Sequence, residues 1–415
     1  MLTVNRLRRY DGLFGPPLCW ILTLWHRLKR DAGQRAEVRR IVVILLSEMG
    51  AVVLARPMFD RLREKYEGAR ILVLCSEKNR GAIELLDLVP STDHVIAVRS
   101  GSLREIAVDS FRAIRRLRAF DADVVVDAEL FSRVSACFSG LSGAPIRVGF
   151  HRYTQEGLYR GDFINRPVLY NPYEHIAHQF VTLAEAVDST NVPTVKRLVP
   201  LEQPIVPQMA LGSNELESAR QQLHRAFPTA VGRQLVFLSP SGGLLPLRAW
   251  PLEYYGRIAR ELTRRGFCVG VVGLPEDRAL AASIQAACVN DLCLDLTGYT
   301  STVRDIAVLM HLGALLITND GGTAHFASVT PIRTIVLYGP ETPVLYGSLS
   351  RHAVNLHKPL SCSPCLTAYN HRQSPCDGDN VCLKSISPEE VLAAAYALLD
   401  ISIARGSEEM PTLQQ

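Results

Sequence analysis

The chain lacks a membrane span. Its most apolar stretch near the N-terminus, Gly15-Pro-Pro-Leu-Cys-Trp-Ile-Leu-Thr-Leu-Trp25, offers an apolar run of about ten residues, against the roughly 20 that a bilayer-crossing helix needs. No small-residue cleavage site follows it, which argues against a secretory signal. A one-signed charge is also lacking. Formal net charge is +4, and residues 1–40 hold nine Lys or Arg against three acids, leaving the remainder at about −2. A body so close to neutral lacks the electrostatic footprint of a nucleic-acid binder. There is no short internal repeat and no low-complexity tract. With 47% hydrophobic and 21% charged residues the composition is that of a globular protein. At 415 residues two domains of roughly 150 to 200 residues are expected.

The basic end needs its own explanation. Trp20 and Trp25 beside His26-Arg27-Leu28-Lys29-Arg30 suit an amphipathic segment lying on an anionic membrane face. A helix packed on the protein's own body, or a disordered basic tail, is the alternative. Residues 1–38 are therefore read as a membrane-associating segment. Six cysteines (Cys19, Cys75, Cys137, Cys268, Cys288 and Cys293) are scattered through apolar or helical contexts, where reduced buried thiols are the default. A cytoplasmic, peripheral location on the inner membrane face is expected.

From Arg39 the chain alternates. Ile41–Leu46 is an apolar run typical of a buried parallel strand, Ser47–Ala51 turns into a helix reaching Tyr66, and Arg70–Cys75 is the next strand. A strand over Asp93–Val98, a helix over about 102–118 and a strand over Asp123–Asp127 follow. Such alternation indicates a doubly wound α/β domain over 39–190. Pro193, Pro200, Pro204 and Pro207 mark 191–213 as a linker. Alternation then restarts, with strands expected at Leu235–Leu238, Cys268–Val272, Asp291–Leu294, Gly313–Ile317 and Thr334–Tyr338. Residues 214–400 form a second Rossmann-like half and 401–415 a tail. A ligand cleft belongs between the halves, at the carboxyl ends of their strands.

The turns at those strand ends carry the chemistry. Thr318-Asn-Asp320-Gly321-Gly322-Thr323-Ala-His325 joins a strand to a helix that Thr323 can cap. Gly321 and Gly322 allow close approach of a phosphate to the helix's positive end. Asp320 cannot serve a phosphate by charge and suits a sugar hydroxyl or a proton. His325 stays within reach as a donor to an anionic oxygen. Ser241 and Gly242, with Gly243, could offer a hydroxyl and amides to a diphosphate, and Arg248 a fixed cation. Glu276, in Gly273-Leu-Pro-Glu-Asp277, could hold ribose or sugar hydroxyls, and Thr297-Gly298 ends another strand. Together they suit a nucleotide-sugar site. In the first half, Gly149-Phe-His-Arg152 to Arg160 turns polar and cationic, so His151, Arg152 and Arg160 could meet an acidic or phosphorylated acceptor. His175 and His178 lack an evident third ligand and are read as structural.

These residues give the chain a resemblance to a known family. Trp250-Pro251, Gly273-Leu-Pro-Glu-Asp-Arg278, Leu296-Thr297-Gly298, Asn319-Asp-Gly-Gly-Thr-Ala-His325 and Leu337-Tyr-Gly-Pro340 look like glycosyltransferase family 9, the heptosyltransferases of lipopolysaccharide assembly, from about residue 40 to 400. The resemblance implies a GT-B fold, two Rossmann-like domains facing a central cleft. The acceptor, a lipopolysaccharide core or another lipid-linked glycan, would sit on the N-terminal half, and an ADP-heptose-like donor on the C-terminal half. Inverting transfer would need no catalytic cofactor. Arg248 matches the family's diphosphate-binding cation and Glu276 its ribose-side acid. Asp320 matches the residue holding the donor sugar, and Gly321, Gly322 and His325 line the diphosphate.

One departure matters. After the first strand the family usually carries Gly-Asp, its Asp being the proposed general base; here the pair is Gly50-Ala51, and alanine accepts no proton. Glu48 on the same turn is the nearest substitute and Glu129, after the Val124–Asp127 strand, a second. A base must come within roughly 3 Å of the hydroxyl, directly or through one water; Glu48 would otherwise be a helix-start acid favoured by the dipole. A non-catalytic nucleotide-sugar or glycan binder and a sugar-nucleotide 2-epimerase are the alternatives to a transferase. Finally, Cys362-Ser-Pro-Cys365, Cys376 and Cys382 place four thiols in one short loop, which suits a structural zinc ion or a disulfide pair.

Overall fold

The computed structural model describes residues 4–28, 37–46, 48–130, 132–151, 159–191, 193–199, 208–243, 245–368 and 373–400. The tail 401–415, residues 192 and 200–207 of the Pro-rich linker and Arg152 lie outside them.

The first half runs α1 (Val4–Leu28), β1 (Arg40–Leu45), α2 (Met49–Leu54), α3 (Arg56–Lys65), β2 (Arg70–Ser76), α4 (Arg80–Leu85), β3 (Val95–Val98), α5 (Leu103–Phe120), β4 (Val124–Asp127), α6 (Arg133–Leu141), β5 (Ile146–Phe150), β6 (Arg166–Val168) and α7 (Ile176–Ala186). The second runs α8 (Ser213–Ala226), β7 (Leu235–Ser239), α9 (Leu252–Arg264), β8 (Cys268–Gly273), α10 (Arg278–Cys288), β9 (Cys293–Thr297), α11 (Val303–His311), β10 (Gly313–Asn319), α12 (Gly322–Ala327), β11 (Arg333–Tyr338), α13 (Pro343–Tyr346), β12 (Ala353–His357), α14 (Val381–Lys384) and α15 (Pro388–Leu398).

Each half builds a six-stranded sheet, β3-β2-β1-β4-β5-β6 and β12-β11-β10-β7-β8-β9, and the strands within each pair in parallel. Read from β9, the second sheet repeats the order of the first. Strand order reverses between β1 and β4 and again between β7 and β10, and a ligand crevice opens at such a reversal, outside the carboxyl ends of the strands.

Local sequence explains the elements. Ile41–Leu45 are all buried, as a strand covered on both faces by helices requires. The helix expected to run into Tyr66 is two pieces: α2 ends at Leu54, Ala55 stands between, and α3 restarts with Pro57 in its first turn, where a residue without an amide hydrogen costs nothing. Ser102 and Glu105 form a reciprocal cap that starts α5. The strand expected at 291–294 begins at Cys293 and runs to Thr297. One apolar core is shared by the halves, since Phe326, Val329, Leu345, Tyr346 and Leu349 cluster with Val52, Val53, Ile83 and Phe180.

The N-terminal helix packs on the body and shows solvent a second apolar face. Asp11 accepts from the amides of Arg133 and Val134, at 2.9 and 3.0 Å, and so caps α6; it also pairs with the Arg133 guanidinium at 3.2 Å. A side chain at Gly15 would collide with Arg133, Cys19 and Thr23 are buried, and His26 Nε2 bonds the Gly140 carbonyl at 2.8 Å. On the other side Leu13, Phe14, Leu18, Trp20, Ile21, Leu24 and Leu28 stand exposed, Trp20 at 61%. Among the described residues no helix is long and apolar enough to cross a membrane.

Candidate active site

The two sheet reversals bring four turns to one cleft. The first is the turn after β1. Glu48 is exposed and precedes α2 with an extended backbone, its side chain making no cap to the helix. Gly50 is buried, and a Cβ there would lie 2.6 Å from Cδ2 of His325. The acceptor-side turn and the donor-side helix therefore touch through a glycine, and α2 packs on α12 at this point. Any larger residue at 50 would push the imidazole away.

On the donor side, Asn319 at the end of β10 ties the loop after β7 to the sheet. Its Oδ1 accepts from the Trp250 amide at 3.0 Å and from the Tyr255 hydroxyl at 3.1 Å. Its Nδ2 donates to the carbonyls of Pro240 and Ser241 at 2.8 and 3.2 Å. With all its polar capacity used, Asn319 fixes where Ser241, Gly242 and Arg248 stand. Gly242 is required by the fold, since a Cβ there would come within 2.8 Å of the Leu245 carbonyl oxygen. Ser241 Oγ accepts from the Gly243 amide at 3.2 Å.

The turn after β10 differs. Gly321 has a fully extended backbone, φ 172° and ψ −172°, which any residue can adopt. A Cβ at Gly321 would meet nothing within 4 Å, and one at Gly322 only Phe326 at 3.9 Å. Neither backbone conformation nor internal packing asks for glycine here, and the turn leaves open space beside it. Gly321, not Thr323, stands at the cap position of α12. The Thr323 hydroxyl pairs with Ser239 Oγ at 3.4 Å instead, because the helix begins one residue before Thr323. Asp320 and His325 are both buried, 6% exposed each. Glu276 is exposed in the turn following β8. Thr297 is buried with its hydroxyl given to Asp295 at 2.5 Å, and Gly298 takes φ +71° against Pro275.

Arg248 is not an isolated cation awaiting a phosphate. Its Nη2 donates to Glu341 Oε1 at 2.6 Å, and its Nε lies 3.7 Å from Asp320 Oδ2. Glu341, two residues past Gly339 at the end of β11, escaped the sequence reading. Its partner is 93 residues away, and no local spacing announces it.

Two acceptor-side expectations change. Arg160 does not face the cleft. It is fully buried, paired with the equally buried Asp127, and donates to Ser132 O, Glu129 O, Phe150 O and Ser135 Oγ at 2.7 to 3.0 Å. Burial pushes the Asp127 carboxyl above its ordinary value, and Arg160 only partly holds it down. Glu129, 5% exposed, accepts from the Leu46 amide at 2.6 Å, so it braces the end of β1 rather than meeting substrate. Arg152 lies outside the described residues.

The four cysteines of the loop differ in their surroundings. Cys362 and Cys376 are exposed while Cys382 is buried against Gly339, and Cys365 Sγ accepts from the Ser374 hydroxyl at 3.1 Å. Among the described residues no set of His, Cys, Asp or Glu side chains is arranged to hold a metal ion, and these cysteines form no disulfide. Cys382 is held in the core of the second half by α14. His175 caps α7 through its Nδ1, accepting from the Ala177 amide at 3.2 Å.

Comparison with known proteins agrees with this architecture. The sequence profile of Glycosyltransferase family 9 (heptosyltransferase) matches residues 110–374. The chain is 23% identical over 323 residues to lipooligosaccharide heptosyltransferase 2 of Haemophilus ducreyi, covering 76% of this chain and 87% of that protein. It is 24% identical over 377 residues to lipopolysaccharide heptosyltransferase 2 of Escherichia coli K12, covering 87% and 98% respectively. Its fold is that of the solved E. coli ADP-heptose LPS heptosyltransferase II, with a TM-score of 0.66 at 21% identity over 87% of this chain and 98% of that one.

Proposed function

The chain belongs to glycosyltransferase family 9, and from that premise we propose that it transfers a heptose or related sugar from an ADP-heptose-like donor to a lipopolysaccharide-type or other lipid-linked glycan. The observation that carries this reading is the meeting of the two switch-point turns, where Gly50 of the acceptor half lies against His325 of the donor half. A donor in the second half and an acceptor hydroxyl at the turn after β1 would face each other across that contact.

In this reading Glu48 takes the acceptor's proton, directly or through one water. The acceptor oxygen then attacks the anomeric carbon from the side opposite the diphosphate, the bond to the diphosphate breaks, and configuration inverts. Ser241, Gly242, Gly321, Gly322, Thr323 and His325 line the phosphates, Glu276, Thr297 and Gly298 flank the nucleoside, and Asp320 accepts from a donor-sugar hydroxyl. Arg248 and His325 offset the charge of the departing diphosphate, as fixed donors do best in a dry site. The chemistry requires no metal in this account. Family membership leaves the 2-epimerase reading without support.

A lipid-linked acceptor also calls for work at a membrane, and we read the protein as peripheral on the cytoplasmic face through α1. What supports this is the outward apolar face of that helix beside Arg6, Arg9 and Arg27.

Calorimetric titration of ADP, UDP and GDP tests the donor site. One diphosphate, expected to be ADP, should bind, and Arg248→Ala should weaken it by about tenfold or more. Glu48→Gln should abolish transfer with ADP affinity kept; unchanged transfer would remove Glu48 from its role. If none of the three nucleotides binds, the transferase reading fails and a glycan-binding protein becomes the better account.

A further inference from the structure

At the donor-side arginine two carboxylates face one guanidinium. Arg248, Glu341 and Asp320 have side chains only 9%, 3% and 6% exposed, and as ions they sum to −1. Tyr338 stands in the same field, its hydroxyl donating to the Tyr346 carbonyl at 3.1 Å. Burial first, then Asp320 and Glu341, push that hydroxyl well above its ordinary value, so it stays neutral and adds no further negative charge. An arriving diphosphate meets a cation already more than neutralised, at a range where poorly screened like charges repel strongly.

The two carboxylates are not equivalent. Asp320 stands 3.7 Å from Nε, beyond hydrogen-bond reach, whereas Glu341 holds Nη2 at 2.6 Å. Glu341 follows β11 and Asp320 follows β10, adjacent strands of one sheet, so both carboxylates sit at the same rim. Resting on the donor-site reading above, we propose that Glu341 competes with the nucleotide's diphosphate for Arg248. It clamps the guanidinium in the empty site and reclaims it as the diphosphate leaves, and in doing so limits how tightly the product is held. Glu341 is a positioning residue in this role, since it acts through Arg248 and need not touch substrate.

An ion pair that merely neutralises a buried arginine predicts the opposite sign, because damaging it would loosen the site. The test is calorimetry of ADP on the full chain as wild type, Glu341→Gln, Arg248→Ala and the double variant. Glutamine keeps the accepting oxygen and the size and removes only the charge. Glu341→Gln should bind ADP about tenfold tighter, with stronger product inhibition by ADP and a lower kcat. In the Arg248→Ala background the same change should alter affinity less than about twofold, because the competition has lost its object. Unchanged or weaker binding by folded Glu341→Gln overturns the proposal, as does equal tightening without Arg248. If Glu341→Gln does not fold, Glu341→Asp, whose carboxylate falls one methylene short, should still tighten ADP by about threefold, and failure to do so overturns it equally. A wild type that binds no nucleoside diphosphate removes the donor-site reading itself, a result distinct from either.

Discussion

A guanidinium with no exposed surface has to find acceptors for its hydrogens inside the protein, and Arg160 finds them on three segments. Its bonds to Glu129 O, Ser132 O and Phe150 O join the loop after β4 to the end of β5, and its pairing with Asp127 neutralises a fully buried carboxylate. Because Glu129 in turn holds the Leu46 amide, the order of the acceptor-side turn depends on a residue that never reaches the cleft. Replacing one partner of such a pair strands the other charge. Arg160→Met is expected to cost about 3 to 5 kcal/mol, read as a drop in denaturation midpoint. The loss should shrink at lower pH. Asp127 would then stay protonated in the folded variant while ionising in the unfolded chain above its ordinary value of 3.8, so the folded state loses ground as pH rises. A loss of under about 1 kcal/mol would mean that the loop is held by other means.

At the scale of elements, legibility followed burial. β1, β2, β4, β7, β8, β10 and β11 are apolar runs buried on both faces, and their pattern marks them as strands without help from tertiary structure. The edge strands β6, three residues with a proline, and β12, with no buried residue, carry no such pattern. They form because a neighbouring strand offers them hydrogen bonds. The site divides in the same way. Turns at strand ends were readable because strand position fixes which end of the sheet they occupy. Glu341, Asn319 and the Gly50–His325 contact were not, because each depends on a partner at least 64 residues away in the chain. For α1 the sequence offered a membrane-associating segment or a helix packed on the body, and its inner face does pack on the body through the Asp11 cap on α6, which no local spacing announces. With that face already spent on the body, the membrane surface proposed above is the outer face. The full chain should sediment with vesicles containing anionic phosphatidylglycerol and much less with pure phosphatidylcholine. Trp20→Glu with Ile21→Glu should abolish sedimentation and leave ADP binding intact. Persistent sedimentation of that variant would remove α1 as the membrane surface.

Across the whole molecule the halves are joined by more than the linker. The shared core carries Phe326, Leu345 and Tyr346 into the first half, and His175, at the start of α7, bonds the Gly347 carbonyl beyond α13 at 3.0 Å through Nε2. With Nδ1 accepting from the Ala177 amide, the proton must reside on Nε2, so the imidazole does both tasks only when neutral. Burial holds its pKa below the ordinary 6.5; the Gly347 carbonyl opposes this, and His178 nearby adds to it. The unfolded chain therefore takes up a proton at a pH where the folded tether does not. The tether contributes fully above about pH 6.5 and its contribution is lost progressively as pH falls below that value. Thermal unfolding of the wild type should accordingly shift to lower temperature between pH 7.5 and 5.5. His175→Gln, which can still donate to Gly347 but cannot titrate, should be somewhat less stable at pH 7.5 and show a flatter dependence. If the two slopes coincide, the tether does not sense pH, and the halves are held by the shared core alone.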